Sequence, residues 1–362
     1  MQNLHSATDE FISVMSSPLS TNEDINAALQ QCYKLFDDST DEEIGLFMKR
    51  TFELYSLPDL ERASLATIIC GSLVENGFPS NTVLMPCIEL YESLLDKTRT
   101  FFVMFYALIS KLDNNDEGYE DKVNEVFANL MSDREMVSQE VYNAVISLNK
   151  FYAPAIAIFS IDKENFTIAK NRLQEKIAFV GENTQGTFWI NKLFTVLFDE
   201  LVVVIDIDRK IGFEGKINGV VDNYQLQHLL MGLPYLNDGK SALSEEDLAV
   251  VNGTGAQSSD KTIANKWNLY NLEITKQPDW KQIINNTANP SLSVNFRQWW
   301  IWSEGMPADI SKHKNHRIIL LGLPSYSRST KIQRTFKNLK AGISVEKELS
   351  IEEIENWLNQ DI

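Results

Sequence analysis

The chain has 362 residues, 44% of them hydrophobic and 23% charged, and its formal net charge is −17. This length predicts two domains, because single hydrophobic cores rarely serve more than about 250–300 residues. The longest uninterrupted apolar run, residues 101–109, is about half of the ~20 residues that a membrane-spanning helix requires. The N-terminus carries acids where a signal peptide has a basic patch. We therefore expect a soluble, cytoplasmic protein.

The charge and the aromatic residues are unevenly distributed. Residues 1–154 contain 10 Lys and Arg against 25 Asp and Glu, a net charge of −15, whereas the remainder contains 23 against 25. All seven tryptophans lie in the second part, from Trp189 onward. These shifts predict an acidic all-helical domain over residues 1–155 and a tryptophan-rich α+β domain over residues 156–362.

Cysteines and histidines give no sign of a metal centre. Cys32, Cys70 and Cys87 lie in apolar helical patterns without a CxxC pair, so we interpret them as small core residues. The four histidines form neither an HExxH motif nor a zinc ribbon. We expect no metal and no cofactor.

The first part reads as a series of helices. Thr21 with Asp24, and Thr40 with Glu43, have the spacing of capping boxes, and an apolar helical stripe follows each pair. Further helices are predicted over residues 80–97, 99–112, 119–132 and 135–153. Their length and short linkers resemble the HEAT/armadillo-like helical repeats, in architecture only, and a closed bundle is the alternative. The resemblance implies an antiparallel helical stack with a broad binding surface.

In the second part, helices are predicted over residues 162–179 and 188–198. After them the spacing of the apolar residues changes from a helical to a strand-like period. The segment 201–221 predicts a β-hairpin with Gly212 available for the turn. Residues 267–274, 295–302, 316–323 and 341–349 read as strands. Asp222 with Gln225, and Ser350 with Glu353, mark helix starts. The fold prediction is therefore α+β, a helical stack followed by a mixed domain whose sheet contains a hairpin.

One histidine and one aromatic cluster are further candidates for contact with a ligand. In the helix after Asp222, the apolar stripe leaves His228 on the opposite side, so we expect it to face solvent. The cluster RQWWIWSEGMPAD (297–309) has aromatics on both faces of its strand, which favours a strand buried on both sides over a ligand platform.

The segment VVVIDID (202–208) ends a strand with Asp206 and Asp208. Haloacid-dehalogenase-like phosphatases begin their active sites in this way, and such a pair can also hold a metal for nucleotide sugars. The fold of these phosphatases requires a βα crossover after this strand, whereas here a turn and an antiparallel returning strand follow. We interpret the pair as a strand end, with a metal site as the alternative.

A second motif, GAQSSDKT (255–262), matches a phosphate-binding loop at all positions but one. Asp260 replaces the second glycine, where a carboxylate would repel phosphate. The sequence before it begins with a helix cap instead of a strand. We therefore predict a polar surface loop.

The third feature is a basic segment, residues 310–347, which contains nine Lys and Arg residues and a single acid, Glu346. It is interpreted as a solvated face, as a surface that docks on the protein's own acidic part, or as a site for an external anion. Nucleic acid is disfavoured by the negative net charge. The candidate ligand-binding residues are Arg317, Arg328, Lys331, Arg334 and Lys337.

These patterns favour a non-catalytic intracellular protein that binds another macromolecule. A concrete form is an inhibitor or immunity-type protein that binds a basic protein partner, with no nucleic acid and no membrane involved. The alternative is an enzyme or small-molecule binder that acts on an anionic, phosphorylated substrate through the C-terminal domain. Convergence of Asp206, Asp208 and the arginines on one cleft would favour the alternative.

Overall fold

The computed structural model describes residues 3–277, 280–285, 299–324 and 328–359. The chain divides into two compact units, Met1–Phe194 and Thr195–Ile362. Within the described residues, no helix is both long and apolar enough to cross a membrane.

The first unit is all-helical, which confirms the predicted stack of helices. Its helices are α1 Leu4–Ser16, α2 Asn22–Tyr33, α3 Asp41–Phe52, α4 Leu60–Glu75, α5 Asn81–Ile109, α6 Tyr119–Ser132, α7 Gln139–Phe159, α8 Lys163–Val180 and α9 Gln185–Phe194. Short 3-10 segments lie at Phe36–Asp38 and Glu53–Ser56.

The centre of this unit is α7, which packs against α4, α5 and α9. Two glycines let these helices approach closely. A Cβ on Gly186 would lie 1.9 Å from the carbonyl oxygen of Leu148, and one on Gly71 would lie 2.8 Å from Cα of Pro154. Helix α5 also packs against α3 and α8, and α6 lies against α5.

The helix starts at Thr21 and Thr40 are confirmed, since both capping boxes are formed. The two helices predicted over residues 80–97 and 99–112 are one helix, α5, because residues 97–99 contain no glycine or proline to end it. The predicted boundary at residue 155 falls inside α7. Because α8 packs on α5 and α9 on α7, both helices belong to the helical unit.

The second unit is mixed α and β, as predicted. Its strands are β1 Glu200–Asp206, β2 Ile211–Asn218, β3 Ser258–Ala264, β4 Asn268–Asn271, β5 Lys312–His313, β6 His316–Gly322, β7 Ser329–Gln333 and β8 Gly342–Glu348. Its helices are α10 Asn223–Gly232, α11 Glu245–Asn252, α12 Trp280–Asn285 and α13 Ile351–Leu358. Short 3-10 segments lie at Pro234–Leu236, Leu272–Lys276 and Pro307–Asp309.

A six-stranded sheet has the order β4-β6-β1-β2-β8, with β5 paired to β6. The predicted hairpin β1–β2 is antiparallel, and β1 pairs with β6 in parallel. Lys210, and not Gly212, takes the left-handed backbone of the hairpin turn, with φ of 53°. A separate two-stranded sheet joins β3 to β7.

Both faces of the large sheet are buried, as the alternation along β1 requires. Val202 and Val204 pack in a core with Leu226 and Leu230 of α10. Val203 and Ile205 pack in a second core with Ile354 of α13. Apolar residues at alternate positions of one strand therefore hold helices on opposite faces.

The strand predictions after residue 260 have mixed outcomes. The strands at 316–323 and 341–349 are confirmed as β6 and β8. In the stretch 267–274, only the first half is strand β4, and a 3-10 helix follows. Residues 295–298 lie outside the described residues, while Trp300 forms an isolated bridge to Tyr270. Trp302 is 48% exposed, so this segment is not buried on both sides.

Candidate functional site

The five cations proposed as a ligand site do not form one site. Arg334 is 6% exposed and uses its five N–H groups within the second unit. The acceptors are the carbonyl oxygens of Val250, Gly255, Ala256 and Lys337, and burial lowers the pKa of Arg334. This side chain fastens the loop after α11 and has no donor left for a ligand.

Arg317 has a similar internal role on β6. It is 8% exposed; Nε donates to Glu200 Oε1 at 2.9 Å, and Nη1 donates to the carbonyl oxygens of Ala308 at 2.8 Å and Ile310. The Nζ of Lys312 lies 2.6 Å from the same Glu200 oxygen. These bonds tie the segment before β5 to the sheet. Lys337 is exposed and contributes its carbonyl to Arg334.

The segment GAQSSDKT (255–262) does not have the architecture of a phosphate-binding loop, and the predicted polar loop is limited to residues 255–257, because Ser258 begins β3. Helix α11 precedes the glycine-rich residues, and strand β3 follows them, which reverses the strand–loop–helix order. Two of its carbonyls, those of Gly255 and Ala256, are acceptors for Arg334.

Asp206 is the last residue of β1 and Asp208 lies in the turn that follows, in agreement with the interpretation of this pair as a strand end. Asp206 is 3% exposed, and its Oδ1 accepts the backbone N–H of Arg209 at 3.0 Å, which stabilises the hairpin turn. Both carboxylates line a cleft of about 240 Å³ that Trp280 and α13 complete. Within the part of the chain that the structure describes, no group of three or more His, Cys, Asp or Glu side chains is arranged to hold a metal ion.

Arg328 and Lys331 lie together in a different cleft, which we call the polar cleft. Its volume is about 380 Å³, and its walls come from β7 and the start of α10. The lining residues are Asp222, Tyr224, Arg328, Ser329, Thr330, Lys331, Gln333 and Thr335. None of them lines the cleft of Asp206 and Asp208. The carboxylates and the arginines therefore do not converge.

Arg328 is already held by two neighbours. Its Nη2 donates to the hydroxyl of Tyr224 at 2.5 Å and to Glu304 Oε1, and Tyr224 donates to the same carboxylate oxygen at 2.8 Å. Burial raises the pKa of Glu304, but the hydrogen bonds from Arg328 and Tyr224 outweigh it, so the pKa is lowered. Glu304 therefore stays ionised at neutral pH as the counter-ion of Arg328, whereas Tyr224, whose pKa is raised mainly by burial, stays neutral.

His228 does not face solvent as expected, since it is 1% exposed. Nε2 lies 2.9 Å from Thr330 Oγ1, and Thr330 donates to Asn265 Oδ1 at 3.3 Å. Nδ1 is buried without a hydrogen-bond partner. The helical periodicity could not predict this contact, because the β3–β7 sheet that covers the outer face of α10 is formed by strands distant in sequence.

In the helical unit, a concavity lies where α5 ends, and we call it the α5–α6 corner. It is an open surface depression of about 600 Å³ lined by Tyr106, Ile109, Ser110, Leu112, Asp113, Asn114, Asn115 and Tyr119. Tyr106 is fixed by its hydroxyl, which donates to Val180 O at 2.7 Å and accepts from Asn183 Nδ2 at 2.8 Å. The positive φ of Gly118, 78°, turns the chain into α6.

The acids of the unit are concentrated beside this corner. Residues 111–135 contain eight acids and three cations. Asp116, Glu117, Glu120, Asp121 and Glu125 are all exposed. Helix α6 presents Glu120, Asp121 and Glu125 to solvent because its apolar face, which includes Leu130, packs on α5, and Asp116 and Glu117 lie in the loop before the helix. Sequence reasoning found the acidity of the domain but not its position beside a depression.

The cysteines are confirmed as core residues. All three are buried and unpaired. Burial raises the pKa of Cys32 to about 11, and it raises the pKa values of Cys70 and Cys87 further. A buried thiol with a raised pKa is a poor nucleophile at neutral pH.

Comparison with known proteins adds no family to this description. No protein-family model matches the chain, and neither a curated protein nor a solved structure matches it.

Proposed function

We propose that this protein is a non-catalytic binding protein whose helical unit recognises a basic region of another protein. An inhibitor or immunity-type protein directed at a basic target is the concrete form of this proposal. The observation that carries it is the charge of the unit Met1–Phe194, which has 15 Lys and Arg against 29 Asp and Glu, a net charge of −14. At least 14 carboxylates therefore lack a cation of their own within the unit.

The placement of the charges supports a binding surface instead of a general solvated coat. Several cations of the unit bridge helices, as in Arg172–Glu92 at 2.6 Å and Lys176–Asp96 at 2.7 Å between α8 and α5. Beside the corner, Lys122 pairs with Asp116 inside the acidic segment, and Arg134 stacks on Tyr142. The exposed acids of α6 and the preceding loop thus create a local negative potential that would steer a basic partner and depend on salt.

Helical architecture is also suited to this role. Stacks that resemble HEAT/armadillo repeats expose broad faces while their interiors are filled by packing side chains. Separation of Asp206 and Asp208 from Arg328, and the internal use of Arg334, favour binding over catalysis.

The test uses a fluorescein-labelled 12-residue peptide of alternating Lys and Ser, measured by anisotropy at 50 and 300 mM salt. The test variant is E117Q/E120Q/D121N/E125Q, and the control is E23Q/D37N/E42Q/E53Q. Both remove four negative charges from exposed positions of the helical unit. We expect the affinity to fall at least tenfold in the test variant at low salt and by much less in the control.

Equal losses in both variants would show that total charge, and not this surface, attracts the peptide. No loss in either would reject the proposal. Circular dichroism of both variants checks that the helices are retained.

A second function, binding of a small anionic ligand, is favoured by one observation in the polar cleft. There Lys331 and Arg328 share a cleft with the hydroxyls of Ser329, Thr330 and Thr335. Sugar phosphates and nucleotides, tested with and without Mg²⁺, should then raise the melting temperature. A ligand at 100 times its Kd adds about 2.7 kcal/mol to the free energy of unfolding. A shift that survives Lys331→Met together with Arg328→Met would place the ligand elsewhere.

A further inference from the structure

We infer that the α5–α6 corner binds an arginine side chain from a basic region of the partner protein. This inference rests on the proposed function and names the chemistry that the corner selects. It is carried by three features of the depression: aromatic walls, aliphatic walls and a carboxylate at its edge.

The aromatic walls are Tyr106 and Tyr119. Both side chains are half-buried, so part of each ring stays accessible. The ring of Tyr106 is held by its hydroxyl bonds and by an edge contact with Phe179, with ring centroids 6.0 Å apart. A ring fixed in this way gives a stacking surface that loses little conformational entropy on binding.

The aliphatic walls are Ile109 and Leu112, both half-buried. They suit the methylene groups of a long basic side chain, whose stem prefers apolar contact while its head stays near water. An acidic partner would be repelled by the surrounding carboxylates, and a purely apolar segment would leave them without a counter-charge. Charge complementarity therefore selects a basic side chain.

The carboxylate at the edge is Asp113. Its Oδ1 accepts the backbone N–H of Asn115 at 3.0 Å and the side-chain amide of the same residue at 3.1 Å. Among the residues that the structure describes, Oδ2 of Asp113 has no hydrogen-bond partner. It can accept from a guanidinium that lies over the tyrosine rings.

Arginine fits this combination better than lysine. Its planar guanidinium stacks on aromatic faces while it donates in its own plane, whereas an ammonium is a compact and strongly hydrated charge. The helical unit uses the same contact internally: the guanidinium of Arg134 lies 3.9 Å from the ring centre of Tyr142, and that of Arg99 lies 4.7 Å from the ring centre of Phe179.

The experiment compares two labelled 12-mers of equal charge, one alternating Arg and Ser and the other alternating Lys and Ser. Anisotropy titrations are made with the full chain, with Tyr119→Phe and with Tyr119→Leu. We expect the arginine peptide to bind about three- to fivefold more tightly to the natural chain. Tyr119→Phe should keep this preference because it keeps the ring, and Tyr119→Leu should reduce it to less than twofold.

Equal affinity of the two peptides for the natural chain would overturn the inference without any variant, so a folding defect cannot obscure the result. An unchanged preference in Tyr119→Leu would also overturn it. The proposed function fails separately, when neutralisation of the four acids leaves lysine-peptide binding unchanged. If neutralisation of the four acids weakens binding but the natural chain binds the two peptides equally, the proposed function stands and the arginine site is rejected.

Discussion

The imidazole Nε2 of His228 lies 2.9 Å from the hydroxyl oxygen of Thr330, a contact that joins α10 to β7. Because Thr330 donates its proton to Asn265 Oδ1, Nε2–H is the donor to Thr330. This tautomer leaves Nδ1 as a bare acceptor in the core. Protonation of Nδ1 would place a charge and an unpaired N–H there, and burial accordingly lowers the pKa of His228 from its usual 6.5.

We predict that His228 makes the second unit less stable in mild acid. Above pH 6.5 the histidine is neutral in both the folded and the unfolded chain, so it adds no pH dependence. As the pH falls below 6.5, the unfolded chain binds a proton before the folded one, and the free energy of unfolding decreases. Below the lowered folded pKa, both states are protonated and the loss stays constant.

Urea unfolding at pH 5.0 and 7.5 measures this effect. Tryptophan fluorescence reports the second unit, which holds six of the seven tryptophans. The decrease between the two pH values should be larger in the natural chain than in His228→Gln, whose amide cannot be protonated in this range. Equal decreases in the two proteins would contradict the prediction.

A second prediction concerns the buried guanidinium of Arg334. Arg334→Lys should lower the free energy of unfolding by about 3 kcal/mol, because one ammonium cannot reach all four carbonyl oxygens and some remain buried without a donor. Urea unfolding followed by tryptophan fluorescence measures the loss. The control is Lys331→Met on the exposed side of β7, which should change the value by less than about 0.5 kcal/mol. A loss for Arg334→Lys as small as that of the control would show that the loop re-forms around lysine.

Local signals predict much of this fold. The capping pairs Thr40 with Glu43 and Ser350 with Glu353 place two helix starts correctly, because the bonds involved span three residues. The hairpin β1–β2 is equally local, since its alternation and turn lie within residues 200–218. Both kinds of signal are contained in a short stretch of sequence.

Contacts between distant segments are what the sequence does not reveal. Residues 258–264 read as part of a polar loop, yet they form β3 by pairing with β7, about 70 residues later. That pairing covers α10 and explains why His228 is buried although the helical stripe places it outside. Arg328 and Arg334 are likewise similar in sequence context, but one lines a cleft and the other is enclosed by carbonyl oxygens. The burial of His228 and of Arg334 could not be predicted from the sequence for this reason.

The third prediction tests the close approach of β2 and β8. A Cβ on Gly215 would lie 1.9 Å from the carbonyl oxygen of Ser344, at the point where the β2–β8 register shifts. Because the obstacle is backbone, Gly215→Ala should destabilise the second unit by about 3 kcal/mol. Gly342→Ala on β8 is the matched control, since its added Cβ meets no atom within 4 Å. Similar melting temperatures for the two variants would contradict this account of the close approach of β2 and β8.

The final prediction concerns Glu353 at the start of α13, whose pKa is lowered from 4.5 to about 2. The largest cause is the hydrogen bond from Lys347, followed by the backbone N–H and the hydroxyl of Ser350. A carboxylate with a lowered folded pKa stabilises the fold above pH 4.5, and this contribution is lost as the pH falls from about 4.5 to about 2.

Lys347→Met should therefore raise the pKa of Glu353, although the bonds to Ser350 keep it below 4.5. A carbon-detected NMR titration of glutamate carboxyls between pH 2 and pH 6 measures the change directly. Lys312→Met removes a similar cation from its pair with Glu200 and should leave the Glu353 titration unaltered. If Lys347→Met leaves that titration unaltered too, Ser350 alone is responsible for the low pKa, and the ion pair contributes nothing measurable to the start of α13.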